Sequence, residues 1–266
     1  MTGRYHRRCG VSGVTQGTER INLDEVLIGQ YFQQAGYRTA LIGKWHSGSQ
    51  RPYHPNERGF DEFFGFASGH LAHYFSPRFE HNGTEQLTDG YVSDVLTDHA
   101  IDWIQQNKQP FFLHLCYNAP HSPMQVPNAW WNVFQESTYD STERDPAKED
   151  KRFNQAARAM VANTDWNIGR LIDSLEKSNR LDSTLIVYLH DNGPNSRRYN
   201  DGLKGIKGSV DEGGVRSPLF VRFPKQVRQG VVVDQLSAAI DLLPTLCEMC
   251  DVPLSFDGLT ASKPLD

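Results

Sequence analysis

Three apolar runs, residues 37–42 (YRTALI), 111–117 (FFLHLCY) and 184–189 (TLIVYL), constrain the fold of this chain more than any other feature. Each has the length of a strand and each empties directly into polar residues. A helical pattern precedes every run. Asn22 is expected to cap the first helix with Glu25 three residues on, and Leu23, Val26, Leu27 and Tyr31 form its apolar stripe. Residues 90–107 make the second helix, with Val92, Val95, Leu96, Trp103 and Ile104 apolar, and residues 156–175 the third, with Met160, Trp166, Ile168 and Leu171. Helix then strand, repeated, predicts an α/β fold with a mainly parallel sheet flanked by helices on both faces. Short strands are also expected over 219–223 and 231–233. Residues 47–89 and 118–150 read as loop-rich excursions, the second holding Pro120, Pro123, Pro127 and Pro146.

In an α/β protein, ligands and catalytic groups collect in the loops past the carboxyl ends of the strands. The first run delivers Lys44 and His46 there, the second Asn118 and His121, and the third His190, Asp191, Asn192 and Gly193. Beyond lies a glycine-rich stretch, residues 204–216, in which the backbone can approach a ligand closely while Lys204 and Lys207 supply charge. One anion pocket lined by these groups is the economical reading. The Asp191-Asn192-Gly193 sequence is either a plain turn or a pair of hard oxygen ligands suited to Ca²⁺ or Mg²⁺. His190 is expected to face away from them. His70 and His73 have the spacing of a zinc pair but lack a third ligand, so a substrate-contacting loop carrying His73 is the better expectation. Asn82-Gly83-Thr84 fits a glycosylation acceptor.

Composition narrows the partners. A formal charge of −5 offers no basic face for nucleic acid, so anion binding must be local. Hydrophobic residues at 38% and aromatic residues at 11% are ordinary globular content, and no apolar stretch is long enough to span a membrane. The polar, basic N-terminal residues do not form a signal peptide. Four cysteines are too few for a disulfide framework, and Cys247 and Cys250 fall in an apolar helical run with Leu242, Leu243, Leu246 and Met249, which argues a structural role.

At four ordered elements the chain resembles the formylglycine-dependent sulfatases of the alkaline-phosphatase superfamily: GYRTALIGKWH over 36–46, PHSP over 120–123, DNG over 191–193, and the glycine-rich segment ending EGGVRSP over 212–218. The resemblance implies that Asp191 and Asn192 are ligands of Ca²⁺, or Mg²⁺, and that Lys44 and Lys207 hold sulfate oxygens. It implies that His46 orients the nucleophile and takes its proton, and that His121 stands near the leaving-group oxygen. The family's first signature reads roughly C-x-P-S-R, an apolar pair, then T-G-R, and its cysteine becomes formylglycine. This chain opens at Met1-Thr2-Gly3-Arg4, and Cys9, Cys116, Cys247 and Cys250 all lack the P-S-R context. The nucleophile and two metal-binding aspartates are therefore expected upstream of residue 1. Residues 1–266 read as a partial catalytic domain lacking the first strand and the C-terminal subdomain, with little or no turnover by itself. Implied partners are a sulfated small molecule or polysaccharide and, for the full-length form, a formylglycine-generating or sulfatase-maturating enzyme. Implied localisation is periplasmic or secreted. Two rival readings are a phosphoester or phosphonate hydrolase of the same superfamily and a non-catalytic anion-binding remnant.

Overall fold

The computed structural model of the chain describes residues 1–135, 145–256 and 259–260. The chain divides into two units, Met1–Asn118 with Val232–Asp266, and Ala119–Val231.

In the first unit, α1 (Ile28–Gln34) leads into β1 (Arg38–Lys44), whose Ala40, Leu41 and Ile42 are fully buried. β1 lies between β2 (Glu62–Phe66) and β5 (Phe111–Cys116) and runs parallel to both. β3 (Arg78–His81) and β4 (Thr84–Leu87) add an antiparallel hairpin, giving the order β4-β3-β2-β1-β5. The sheet is thus mixed, with a parallel centre. Residues 47–89 are less loop-like than expected, because three of these strands fall within them. The hairpin was hard to see because only Phe79 of its strand residues is buried, so no apolar alternation marks it. Its signal was the Asn82-Gly83 pair, with φ of 49° and 90°, the left-handed backbone a tight hairpin turn demands. The Asn82 amide is used structurally: its oxygen accepts from the Phe63 and Asn56 nitrogens and its nitrogen donates to Glu62.

Helices cover both sheet faces. Phe32 of α1 stacks on Phe112 of β5 at 4.5 Å, over the face that carries Leu41 and Phe63. On the opposite face α2 (Val92–Gln106) buries Val92, Leu96, Ala100 and Ile104, a stripe at four-residue spacing, and stacks His99 on Phe64 at 3.9 Å. The helix Leu242–Met249 packs Leu243 and Cys247 against Ile28, Tyr31 and Phe32.

The first helix begins five residues later than expected, capped at Leu27 rather than Asn22. Glu25 does not close a capping box; it forms a buried ion pair with Arg4 at 2.8 Å, and the Asn22 and Glu25 carbonyls accept from the Arg58 guanidinium. The Gln30 side chain accepts from the Leu27 amide instead.

In the second unit, α3 (Asn128–Val133) packs beside α4 (Lys151–Lys177), which Asp150 caps by accepting from the Phe153 amide. The buried stripe of α4 differs from the expected one. Met160 is buried, but Asn163, Thr164 and Asn167 accompany it, while Trp166 is exposed, set against Trp130 and beneath the Arg170 guanidinium. β6 (Ile186–Leu189) pairs antiparallel with β7 (Leu219–Arg222) in a two-stranded sheet, and the short α5 (Glu212–Val215) lies between them in sequence. Residues 231–233 form no strand; their valines are exposed and bond to no neighbour strand, so apolar content there reported no pairing. Within 118–150, α3 interrupts the expected loop, and 136–144 lie outside the described residues.

Candidate active site

β1 terminates where its chemistry begins. Gly43 has φ of 111°, and a Cβ there would strike the Cys116 carbonyl oxygen of β5, so only glycine lets the two strands close at this level. The next residue, Lys44, is half-buried at the strand end, close enough to Cys116 to favour its thiolate. Burial dominates nonetheless and pushes the Cys116 thiol up to about 12. Trp45 turns inward, its indole donating to the Gly48 and Tyr53 carbonyls, and so anchors the turn that presents His46. His46 takes a left-handed backbone, φ 58°, and its Nε2 lies 2.7 Å from the Val14 carbonyl. A carbonyl only accepts, so Nε2 carries the hydrogen and Nδ1 is the basic nitrogen of the neutral ring. Gly69 lies directly against this ring, and any side chain there would collide with it. The segment after β2 is therefore folded over His46. His70 and His73, on the same segment, are both exposed.

The same unit holds Asn118, the polar residue the second run was expected to deliver. Asn118 follows β5, is buried, and has an Oδ1 with no partner among the described residues, while its side chain hydrogen-bonds Tyr74. Burial raises the Tyr74 hydroxyl to about 12.

In the second unit the strand β6 ends in His190-Asp191-Asn192-Gly193. His190 bonds to the Tyr188 hydroxyl at 2.6 Å and its carbonyl accepts from Ser217, consistent with a supporting role. Burial lowers its pKa against the opposing charge of Asp191. Asp191 is exposed and partnerless among the described residues, and Asn192 commits its amide nitrogen to the Gly193 carbonyl. Both side chains thus retain oxygen donors, a hard set that suits Ca²⁺ or Mg²⁺. This turn is bonded to the glycine-rich segment at two points. The Gly193 amide donates to Gly214, and the Lys207 amide donates to Pro194 at 2.8 Å. A Cβ on Gly193 would meet the Gly213 carbonyl, so backbone lies on backbone. Lys204 is held by Asp211 at 2.9 Å, whereas the Lys207 ammonium is exposed and makes no ion pair among the described residues. Of the two lysines, Lys204 is engaged by a carboxylate and, among the described residues, Lys207 is not. His121, half-buried, has Nδ1 2.8 Å from the Ser122 carbonyl, which places the neutral ring's lone pair on Nε2.

Lys44, His46 and His73 thus belong to the first unit, and His121, Asp191, Asn192 and Lys207 to the second. All four cysteines are free, and burial raises the Cys116, Cys247 and Cys250 thiols, which keeps those three from acting as activated thiols.

The class defined here is an α/β protein that carries lysines, imidazoles and carboxylate or amide oxygens at strand ends in each of its two units. A family model described as Sulfatase matches residues 1–252, and the chain belongs to the sulfatase family. The uncharacterized sulfatase YdeN of Escherichia coli is 32% identical over 97% of this chain and 49% of its own length. The arylsulfatase of Klebsiella aerogenes is 25% identical over 95% of this chain and 75% of its own. The crystal structure of Ps i-CgsB in complex with k-i-k-neocarrahexaose superposes with a TM-score of 0.83 at 31% identity, over 96% of this chain and 60% of that one. The chain spans about half the length of YdeN. Among the described residues, no helix is long and apolar enough to cross a membrane.

Proposed function

We propose that these residues form part of the catalytic domain of a sulfuric ester hydrolase acting on a sulfated carbohydrate. The observation that carries the reading is the Asp191-Asn192 turn bonded to the Lys207 loop, which puts hard oxygen ligands and an unpaired ammonium in one neighbourhood of the second unit. The carbohydrate class is supported by the likeness to Ps i-CgsB, whose structure carries k-i-k-neocarrahexaose. The localisation proposed is periplasmic or secreted, with a formylglycine-generating or sulfatase-maturating enzyme as partner.

In this reading Lys44 and Lys207 hold non-bridging sulfate oxygens and His73 contacts the substrate. Fixed cations placed where charge develops lower the barrier to S–O cleavage. His121, once protonated at Nε2, gives that proton to the departing alcohol oxygen as the S–O bond breaks, and His46 accepts the proton of the nucleophile. Asp191 and Asn192 would hold Ca²⁺ or Mg²⁺, which when bound supplies Lewis-acid polarisation of the sulfate. The formylglycine nucleophile has no counterpart among the four cysteines, so the 266 residues alone are expected to turn over little or no ester.

The test is intact mass and N-terminal sequence of the protein from its native source, with assays on a sulfated oligosaccharide and the matching phosphate ester. A C-x-P-S-R element bearing formylglycine and preferential, metal-dependent sulfate release are expected. Faster cleavage of the phosphate ester would overturn the sulfatase reading, and robust sulfate release by residues 1–266 alone would overturn the placement of the nucleophile outside them.

A further inference from the structure

Three side chains from three separate elements of the first unit converge away from the candidate active site. Glu62 opens β2, His81 closes β3, and His99 lies in the middle of α2. Both Nε2 atoms, of His81 and of His99, lie 2.8 Å from the same Glu62 Oε1. The ligand atoms of all three fall within 4.8 Å of one another. Ring contacts fix the geometry: His99 is stacked on Phe64 at 3.9 Å, and His81 stands edge-on to both Phe64 and His99. The second carboxylate oxygen of Glu62 accepts from the Asn82 amide. Burial alone would push the Glu62 carboxyl up, but the hydrogen bonds from His99 and Asn82 and the charges of both histidines bring it below the ordinary carboxylate range.

We infer that Glu62, His81 and His99 form a binding site for a single Zn²⁺ ion, a His₂-carboxylate set with one open position. Two imidazoles and one carboxylate suit zinc and its first-row neighbours, whereas Ca²⁺ and Mg²⁺ require oxygen. Ligand atoms around a tetrahedral zinc stand about 3.3 Å apart, so admitting the ion needs about 0.5 Å of opening at each 2.8 Å contact and adjustment of the His81–His99 edge, which lies within 4.8 Å, to the same span. The His81 side chain is 40% exposed and provides the way in. Register separates this site from Lys44: Glu62 pairs with Ala40 and Phe66 with Lys44, which puts the two about 13 Å apart along the strands. Zinc here would staple the edge hairpin to α2.

Chelator-treated protein titrated with ZnCl₂ by calorimetry, alongside thermal melts with and without the metal, tests this. One ion per chain is expected, with a melting temperature raised by zinc. His81→Gln and His99→Gln should each weaken zinc binding by about tenfold or more while circular dichroism stays unchanged, and Asp191→Asn should leave it intact. His81 sits at an exposed hairpin end, so its substitution preserves the fold if His99→Gln does not. No saturable heat with zinc, zinc binding that survives either histidine substitution in folded protein, or loss of zinc in Asp191→Asn would each overturn the site.

Discussion

His114 shows how one buried side chain ties stability to pH. It points from β5 to the sheet face of Leu41, and its Nδ1 is buried without a hydrogen-bond partner among the described residues. Burial pushes its pKa down to about 4. The unfolded chain protonates this ring near pH 6.5, while the folded protein keeps it neutral to about pH 4. Stability is therefore fully present above pH 6.5 and falls as pH drops through that window, by roughly 3 kcal/mol in all. Urea unfolding of His114→Phe at a series of pH values should show a flatter profile between pH 6.5 and 4 than the parent. An unchanged slope would mean other groups carry the acid sensitivity. The lysines give a second expectation at this scale. Hydrogen bonds to charged groups contribute about 1.5–3 kcal/mol, so Lys207→Ala should weaken sulfate binding by about tenfold or more. Lys204 is 68% exposed and paired to Asp211, a contact worth at most about 1 kcal/mol, so Lys204→Ala should change sulfate affinity by less than about fivefold. Sulfate titrations that rank the two variants the other way would assign the anion to Lys204. The residue types and spacing of Lys44-x-His46 and Asp191-Asn192 were visible in the sequence because strand ends advertise them. The pairing of Lys204 with Asp211, and the Glu62 cluster, were not, since each joins side chains that only folding brings together.

At the scale of elements, pattern revealed what was buried on one side and missed what was held by polar contacts. The strand β1 and the helix α2 were legible because burial imposed their periods, with α2 repeating Val92, Leu96, Ala100 and Ile104. The start of α1 was misplaced because the Glu25 carboxylate goes to Arg4, a tertiary partner no local rule announces. The stripe of α4 was misjudged because buried Asn163 and Asn167 satisfy each other along the helix, the Asn167 amide donating to the Asn163 carbonyl, and polar residues do not register as core. The parallel centre of the sheet supplies an element-level test. Gly43 and Gly65 stand in register on β1 and β2, and a Cβ on Gly65 would strike the Gly43 carbonyl just as one on Gly43 would strike Cys116. Gly43→Ala combines a left-handed backbone with a backbone collision, so it should cost about 1–3 kcal/mol or more. It should also displace Lys44 and His46. A denaturation midpoint within error of the parent would show that β1 can shift to admit the methyl group.

At the scale of the whole molecule, the two units differ in what holds them. The first contains most of the fully buried apolar side chains, among them Leu27, Tyr31, Leu41, Ile42, Phe63 and Leu96. Among the described residues, the buried apolar side chains of the second are confined to α4: Ala156, Ala157, Ala159, Met160 and Leu175. Its two-stranded sheet is open, with Leu189, Leu219, Phe220 and Val221 exposed. Burying a large apolar side chain contributes about 1.5–3 kcal/mol, and alanines contribute far less. Local opening should therefore require less free energy in residues 119–231 than in the β2-β1-β5 core. Hydrogen exchange read by mass spectrometry tests this directly, because peptides from β1, β5 and α2 report one unit and peptides from β6, β7 and the Lys207 loop the other. Protection factors at least tenfold lower in the second set are expected, with the Asp191-Asn192 turn among the fastest to exchange. The order matters for function: if Asp191 and Asn192 ligate a divalent ion, adding CaCl₂ should slow exchange in the turn and the Lys207 loop to which it is bonded, and leave β1 unchanged. Equal protection in both units would contradict the packing argument, and calcium that slows β1 but not the turn would place the metal elsewhere.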